Sequence, residues 1–265
     1  MWTFEIFGLS FFYIFYFFFI TAFIGWIYES CFVSIKNHKI TNRGFLNGPV
    51  IPIYGAGGTA IMLATTPFKD DLVLVFFAGM FVASLLEYVT SYLMEKLFHA
   101  KWWDYSDWKP NLNGRICLWA SLFWGVLSVS MQLFIKPAID KLIAKIPEFE
   151  GIIAAYIIFT IFIADIVYTV ICTVQFDKKI AAIRSSYEGF KTELKGSYEG
   201  LKENYEGFKV ELKDRYIESA NKFSFVEKRL VNAFPDLKFT NVDDELKEWI
   251  NERIDKKIEK RNNER

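Results

Sequence analysis

Histidine and cysteine are scarce in this chain of 265 residues: two His, at 38 and 99, and three Cys, at 31, 117 and 172. Neither His38 nor His99 falls in an apolar run, and Cys31, Cys117 and Cys172 are widely spaced with no CxxC, so neither zinc nor His-based catalysis is expected. The cysteines read as small apolar residues at helix ends in a reducing compartment. No Walker phosphate loop and no GxSxG elbow occurs. Any ATP must therefore be bound by another chain, and neither cofactor nor metal is expected. A surplus of basic charge is missing too. The 31 Lys and Arg balance 31 Asp and Glu, which argues against a nucleic-acid partner. The chain opens with Glu5 and no Lys or Arg, and no small-residue cleavage site follows a short apolar core. A cleaved signal peptide is not expected.

Apolar residues are what the chain has in abundance: it is 52% hydrophobic and 18% aromatic, with 28 Phe. This composition marks a polytopic membrane protein. Charge is unevenly placed. Residues 1–175 hold 11 Lys/Arg and 12 Asp/Glu, leaving 20 and 19 for the shorter remainder. The expected organisation is a transmembrane domain over 1–175, a long amphipathic cytoplasmic helix over 176–234 and a short charged helix over 235–265. The fold class is all-α, a membrane helix bundle of about five spans with a broken second helix and a helical tail. The spans are read at about Ile6 to Phe32, Gly48 to Thr66, Leu72 to Glu95, Ile116 to Ile135 and Ile152 to Gln175.

Five crossings put the termini on opposite sides. The short loops place ten Lys/Arg on one side, from Lys36, Lys39 and Arg43 through Arg184, and four on the other. The first side is thereby read as cytoplasmic, with the N-terminus outside. Trp102, Trp103 and Trp108 suit an interfacial belt at that face. In the tail, Tyr187-Glu-Gly-Phe-Lys recurs as Tyr198-Glu-Gly-Leu-Lys and Tyr205-Glu-Gly-Phe-Lys. The apolar positions from Ile180 to Tyr216 advance by threes and fours, one stripe on one helix face. Three glycines in the repeat weaken it, so it calls for packing against itself or a partner, as in a coiled coil or homo-oligomer.

The segment from Arg43 to Gly58 breaks the apolar pattern. Pro49 and Pro52 remove backbone donors, and Gly48, Gly55, Gly57 and Gly58 relax the backbone. Non-helical backbone at membrane depth needs protein or water to satisfy its polar groups, so other polar side chains should converge there. The ionisable residues within spans are few: Glu29, Glu87 and Asp165. Such residues are expensive in lipid and are functional candidates by default. Glu87, Ser91 and Glu95 recur every four residues on one face, with Glu87 about 12 Å from the helix end at 1.5 Å per residue. One polar cluster at the cytoplasmic half is expected, with ligand-binding candidates Glu29, Arg43, Asn47, Tyr54, Glu87, Ser91, Asn113 and Arg115. Arg43 or Arg115 is expected to pair with Glu29 or Glu87. Such pairs also serve simply to fix helix register. Two carboxylates and an arginine would equally suit acid/base work on a lipid-linked substrate, although no nucleophile with an adjacent base is visible.

Four strings carry a family resemblance. They are Gly25-Trp-Ile-Tyr-Glu-Ser30, the run from Asn42 to Gly55, Leu86-Glu-Tyr88 on through Glu95, and Trp102-Trp-Asp-Tyr-Ser106 with Asn111-Leu-Asn-Gly-Arg-Ile-Cys-Leu118. Over roughly residues 8–175 the chain resembles the bacterial ABC-transporter permease family of type IV, also called CmpB-like. The resemblance implies a multi-span bacterial inner-membrane protein, a permease-like transport component surrounded by membrane lipid, with a separate cytosolic ATPase as partner. Glu29, Arg43, Asn47, Glu87 and Arg115 are its motif positions. A membrane-embedded enzyme and a non-catalytic scaffold remain the alternatives, and the tail lies outside the resemblance.

Overall fold

The computed structural model describes residue 2 and residues 4–36, 38–197, 224–234 and 237–239. These are mostly helical. The chain opens with a small hairpin, β1 (Glu5–Ile6) and β2 (Leu9–Ser10), turned by Phe7 and Gly8, both at positive φ. The hydroxyl of Ser10 then accepts the Tyr13 amide, at 3.2 Å, at the start of α1 (Phe11–Lys36). The first apolar run therefore becomes helical at Phe11, not at Ile6, because the hairpin consumes its first residues.

Among the described residues, four helical stretches are long and apolar enough to cross a membrane: Phe11–Lys36, Leu72–Phe98, Leu118–Ile143 and Glu148–Ala181. The expected broken span is a different object. Its helix, α2 (Pro52–Thr65), has 14 residues, about 21 Å, short of the roughly 30 Å of hydrocarbon. Pro52 sits at its first turn, where a missing amide hydrogen costs nothing. Residues 48–51 ahead of it are non-helical. A 3-10 turn (Thr66–Phe68) follows it, and Asp71 then caps α3 (Leu72–Phe98) through the Val73 and Leu74 amides.

Small residues set how closely α2 approaches α1. A methyl group at Gly55 would lie 2.8 Å from the Phe18 carbonyl oxygen, and one at Gly25 would lie 2.3 Å from the Tyr54 ring. Such backbone-to-backbone contact is the usual device of membrane helices, where burial offers little drive between apolar faces. α3 packs in the same way on α4 (Leu118–Ser130): Gly79 against Ser128, Gly125 against Phe76, and Ser84 hydrogen-bonded to Ser121 at 2.7 Å.

The fourth span continues past its expected end at Ile135. A π-helical turn (Met131–Ile135) leads into α5 (Lys136–Ile143). Pro137 cannot donate back into a helix, and the widened turn carries the chain past it. Ile139 and Ile143 then bury against the aromatic face of α1, where Phe15, Tyr16 and Phe17 lie. Its start also differs, because Ile116–Cys117 (β5) pairs with Asn111–Leu112 (β4) in a hairpin turned by Asn113 and Gly114, both left-handed. Beyond it, α6 (Glu148–Ser197) joins the last span and the start of the tail in one 50-residue helix.

A second core lies at the end of the bundle that carries the loops 38–51 and 99–117, the loop end. Here α7 (Phe225–Ala233) buries Val226 and Leu230 among Phe98, Trp102, Cys172, Phe176 and Ile180. The helix expected over 176–234 is not one rod through Ser224. Ser224 has extended backbone and opens α7 with a reciprocal capping box to Glu227. β3 (Ala100–Lys101) pairs antiparallel with β6 (Lys238–Phe239). Trp102 is consequently a core residue, 4% exposed, and not part of an interfacial belt. Its ring packs edge-on against Phe45 and Phe234, whereas Trp108 is exposed. The tyrosine repeat and the helix expected after residue 243 lie outside the residues whose side chains are described.

Candidate functional site

The break between α1 and α2 is satisfied residue by residue. The Asn47 and Gly48 amides donate to Asp165 of α6, at 3.2 and 2.7 Å, and the Ile51 amide donates to the Ala22 carbonyl of α1, at 3.1 Å. Arg43 donates its own amide to Ser30 Oγ, at 3.1 Å. Every one of these donors lies on non-helical backbone, outside any helix or sheet ladder that would pair it. The expected convergence of polar groups on the break is present, and Asp165 supplies most of it. The Asn47 side-chain amide also donates to Asp165, at 2.8 Å, and to Thr169, at 2.9 Å.

A second set of polar side chains lies deeper. Glu87, 6% exposed on α3, accepts the phenol of Tyr105 at 2.9 Å on one oxygen and the indole of Trp124 at 2.8 Å on the other. Tyr54 lies edge-on to Trp124, with ring centroids 5.8 Å apart, and donates its hydroxyl to Glu29 at 2.7 Å. Arg43 Nε lies 3.5 Å from the other oxygen of Glu29. The network therefore runs from the 99–117 loop through α3, α4, α2 and α1 to the 38–51 loop. Tyr54 is its hinge piece, because one side chain touches both halves.

The two carboxylates differ in how charge is balanced. Glu29 has a guanidinium partner. Among the described residues no Lys or Arg lies within ion-pair distance of Glu87, and only neutral donors meet it. Burial, and then the Glu87 charge, push the Tyr105 phenol well above its ordinary range. Tyr105 thus stays protonated at physiological pH and remains a donor to Glu87. Chemically, a buried carboxylate that lacks a cation can take up a proton or a cationic ligand group, and that is the reactivity this arrangement offers.

The candidate residues divide into three groups. Glu29, Arg43, Tyr54 and Glu87 meet in one network. Asn47 belongs to the Asp165 group, a few residues from Arg43 but hydrogen-bonded elsewhere. Arg115, Asn113 and Ser91 stand apart. Arg115 pairs with Glu95 at 2.5 Å and lies over the rings of Tyr88 and Tyr92. Its pairing with Glu29 or Glu87 does not form, because the 113–114 turn sets it beside the last turns of α3. Asn113 is exposed and donates to the Tyr88 hydroxyl at 2.9 Å. Ser91 is buried one turn from Glu87.

Sequence reasoning left Trp124, Thr169 and Arg229 out of the site, and named Asp165 without giving it a partner. Trp124 carried a signal, since an indole inside an apolar span needs an acceptor. Arg229, which donates to the Gly44 and Phe45 carbonyls and to the Asn47 side-chain oxygen, carried none, because two of its three acceptors are backbone groups. Removing one hydroxyl tests the hinge role. Tyr54→Phe keeps the ring on Trp124 and deletes only the bond to Glu29, and a hydrogen bond to a charged group contributes about 1.5–3 kcal/mol. Unfolding of the purified protein in detergent is expected to show a loss in that range.

Compared with known proteins, residues 16–170 match the family model described as "Putative ABC-transporter type IV". No curated protein and no solved structure matches the chain. The matched region contains both networks except Arg229.

Proposed function

This chain belongs to that type IV ABC-transporter family, and from this premise we propose that it is the membrane-embedded, permease-like component of a transport system. The ATP-binding partner is a separate cytosolic chain, since this sequence carries no phosphate loop. The loop end faces the cytoplasm of a bacterial inner membrane, in keeping with the ten Lys/Arg against four in the short loops. The site is the network Glu29, Arg43, Tyr54 and Glu87, extended by Tyr105 and Trp124.

The observation that carries this reading is the contrast between the two acids. A pair that only fixed helix register would be neutralised within the protein, as Glu29 is by Arg43. Glu87 is instead held by two neutral donors at 2.8–2.9 Å. A ligand bearing a positive charge or strong donors completes it, and α2, α3 and α4 all meet there to respond.

Uptake by cells that express the chain together with its native ATPase tests the proposal. Glu87→Gln preserves size and keeps an acceptor oxygen while deleting the charge. Across a panel of radiolabelled amines, amino acids and inorganic cations, the variant is expected to lose at least tenfold in the uptake of whichever solute the wild type imports. Wild-type uptake of some solute with no change in Glu87→Gln, together with no ATPase bound to the purified chain, would overturn the reading.

A further inference from the structure

The loop end presents a surface built from unusual parts. The carbonyls of Gly44 and Phe45 and the side-chain oxygen of Asn47 point the same way, and all three accept from one guanidinium, Arg229 of α7. The distances are 2.7, 2.7 and 3.1 Å. Beside them, Phe45, Phe98 and Trp102 form an aromatic recess that receives Phe234, whose ring centroid is 4.7 Å from that of Trp102. The backbone edge of β3 adds pairing for β6. On the far side of α7, Glu227, 1% exposed, is gripped by Lys179 of α6 at 2.7 and 2.9 Å.

We propose that this face is a peptide-docking surface, occupied in cis by α7 and its flanks, residues 224–234 and 237–239, which act as a releasable latch on Arg43. Three observations support release as well as docking. Most of the polar receiving groups are backbone, the carbonyls of Gly44 and Phe45 and the edge of β3, which recognise a helix followed by a strand through main-chain hydrogen bonds. The docked segment lies outside residues 16–170, the part that matches the family model, while the receiving loops lie inside it. Arg43 is shared between the two sides. It pairs with Glu29 at 3.5 Å, donates to the Ala233 carbonyl and stacks over the Phe234 ring at 4.1 Å. Departure of α7 removes the Ala233 and Phe234 contacts and leaves the Glu29 pair in place, which changes the charge environment of the candidate site. That consequence rests on the proposed role of Glu29 and Arg43; the docking itself does not.

Hydrogen–deuterium exchange on the full chain in lipid nanodiscs tests the latch, because a segment that opens by itself exchanges ahead of the bundle. In the wild type, amides of 226–233 are expected to exchange at least tenfold faster than those of α1. Arg229→Ala, which deletes three hydrogen bonds, is expected to speed exchange in 226–233 and 43–48 by tenfold or more and to leave α1 and α3 unchanged. Lys179→Met removes the grip on the opposite side of α7 and is expected to speed the same two regions. Wild-type protection of α7 equal to that of α1 overturns the proposal, since α7 is then part of the core. So does unchanged exchange at 43–48 in Arg229→Ala, or an effect of Lys179→Met confined to α7. Exchange involves no transport step, so its outcome is independent of the uptake measurement.

Discussion

Asp165→Ala is expected to lower the unfolding temperature of the purified protein by roughly 10 °C. Four donors converge on this carboxylate: the Asn47 and Gly48 amides, the Asn47 side chain and the Thr169 hydroxyl. After truncation the Asn47 side chain keeps Thr169, and Thr169 can turn to its own helix. The two backbone amides have no such alternative. Each stranded donor costs about 1–3 kcal/mol, so the loss from the two is about 2–6 kcal/mol, and each kcal/mol shifts a midpoint by roughly 2–4 °C at this chain length. Asp165→Asn separates this explanation from a generic loss of charge. Its amide nitrogen must face either the Gly48 amide or the two Asn47 donors, so one donor meets another whichever way it turns. Asparagine is therefore expected to be nearly as harmful as alanine. Full recovery of stability in Asp165→Asn would show that the acceptor count at this residue is not what holds the loop.

A pair of glycine substitutions two residues apart on α2 should move stability in opposite directions. At Gly55 an added methyl group meets the Phe18 carbonyl oxygen and ring at 2.8 Å. The oxygen belongs to the backbone of α1 and cannot swing aside, so α2 must shift away. Overpacking of this kind costs about 1–3 kcal/mol, and the shift also draws Tyr54 off Glu29. At Gly57 an added methyl group has nothing within 4 Å. There alanine brings only its helix propensity, worth about 1 kcal/mol over glycine. Thermal unfolding in one detergent, with both variants side by side, checks the contrast. Equal effects in the two variants would mean that α2 is not seated on α1 through Gly55.

These expectations show which parts of the molecule were readable in one dimension. The apolar runs, the proline and glycine break, and the placing of Glu29 and Glu87 inside apolar runs follow from residue type over short windows. Four of the apolar runs are helices of spanning length, and the break begins helix at Pro52, where its chemistry allows. The lengths of the elements were less legible. A hairpin takes the head of the first run, and α4 and α5 continue as one stretch through a π-turn. Both outcomes hinge on a few residues, Phe7 and Gly8 in one case and Pro137 in the other, whose effect depends on what packs around them.

Partner choice was the part that only the tertiary structure decided. Composition alone determined that this is a membrane protein of apolar helices, with few internal charges and a charged tail. It also determined that the backbone around Gly48 needs outside acceptors. Which acceptor answered was set at long range: Asp165 lies 118 residues from Asn47, and Arg229 lies 185 residues from Gly44. Arg43 took Glu29 while Arg115 took Glu95, although either arginine suited either acid by charge. The rotation and depth of each helix selected among them, and close contacts at Gly25, Gly55 and Gly79 fix those two quantities. A side chain's charge is written in the sequence, but the distance over which it acts is known only once the helices have packed.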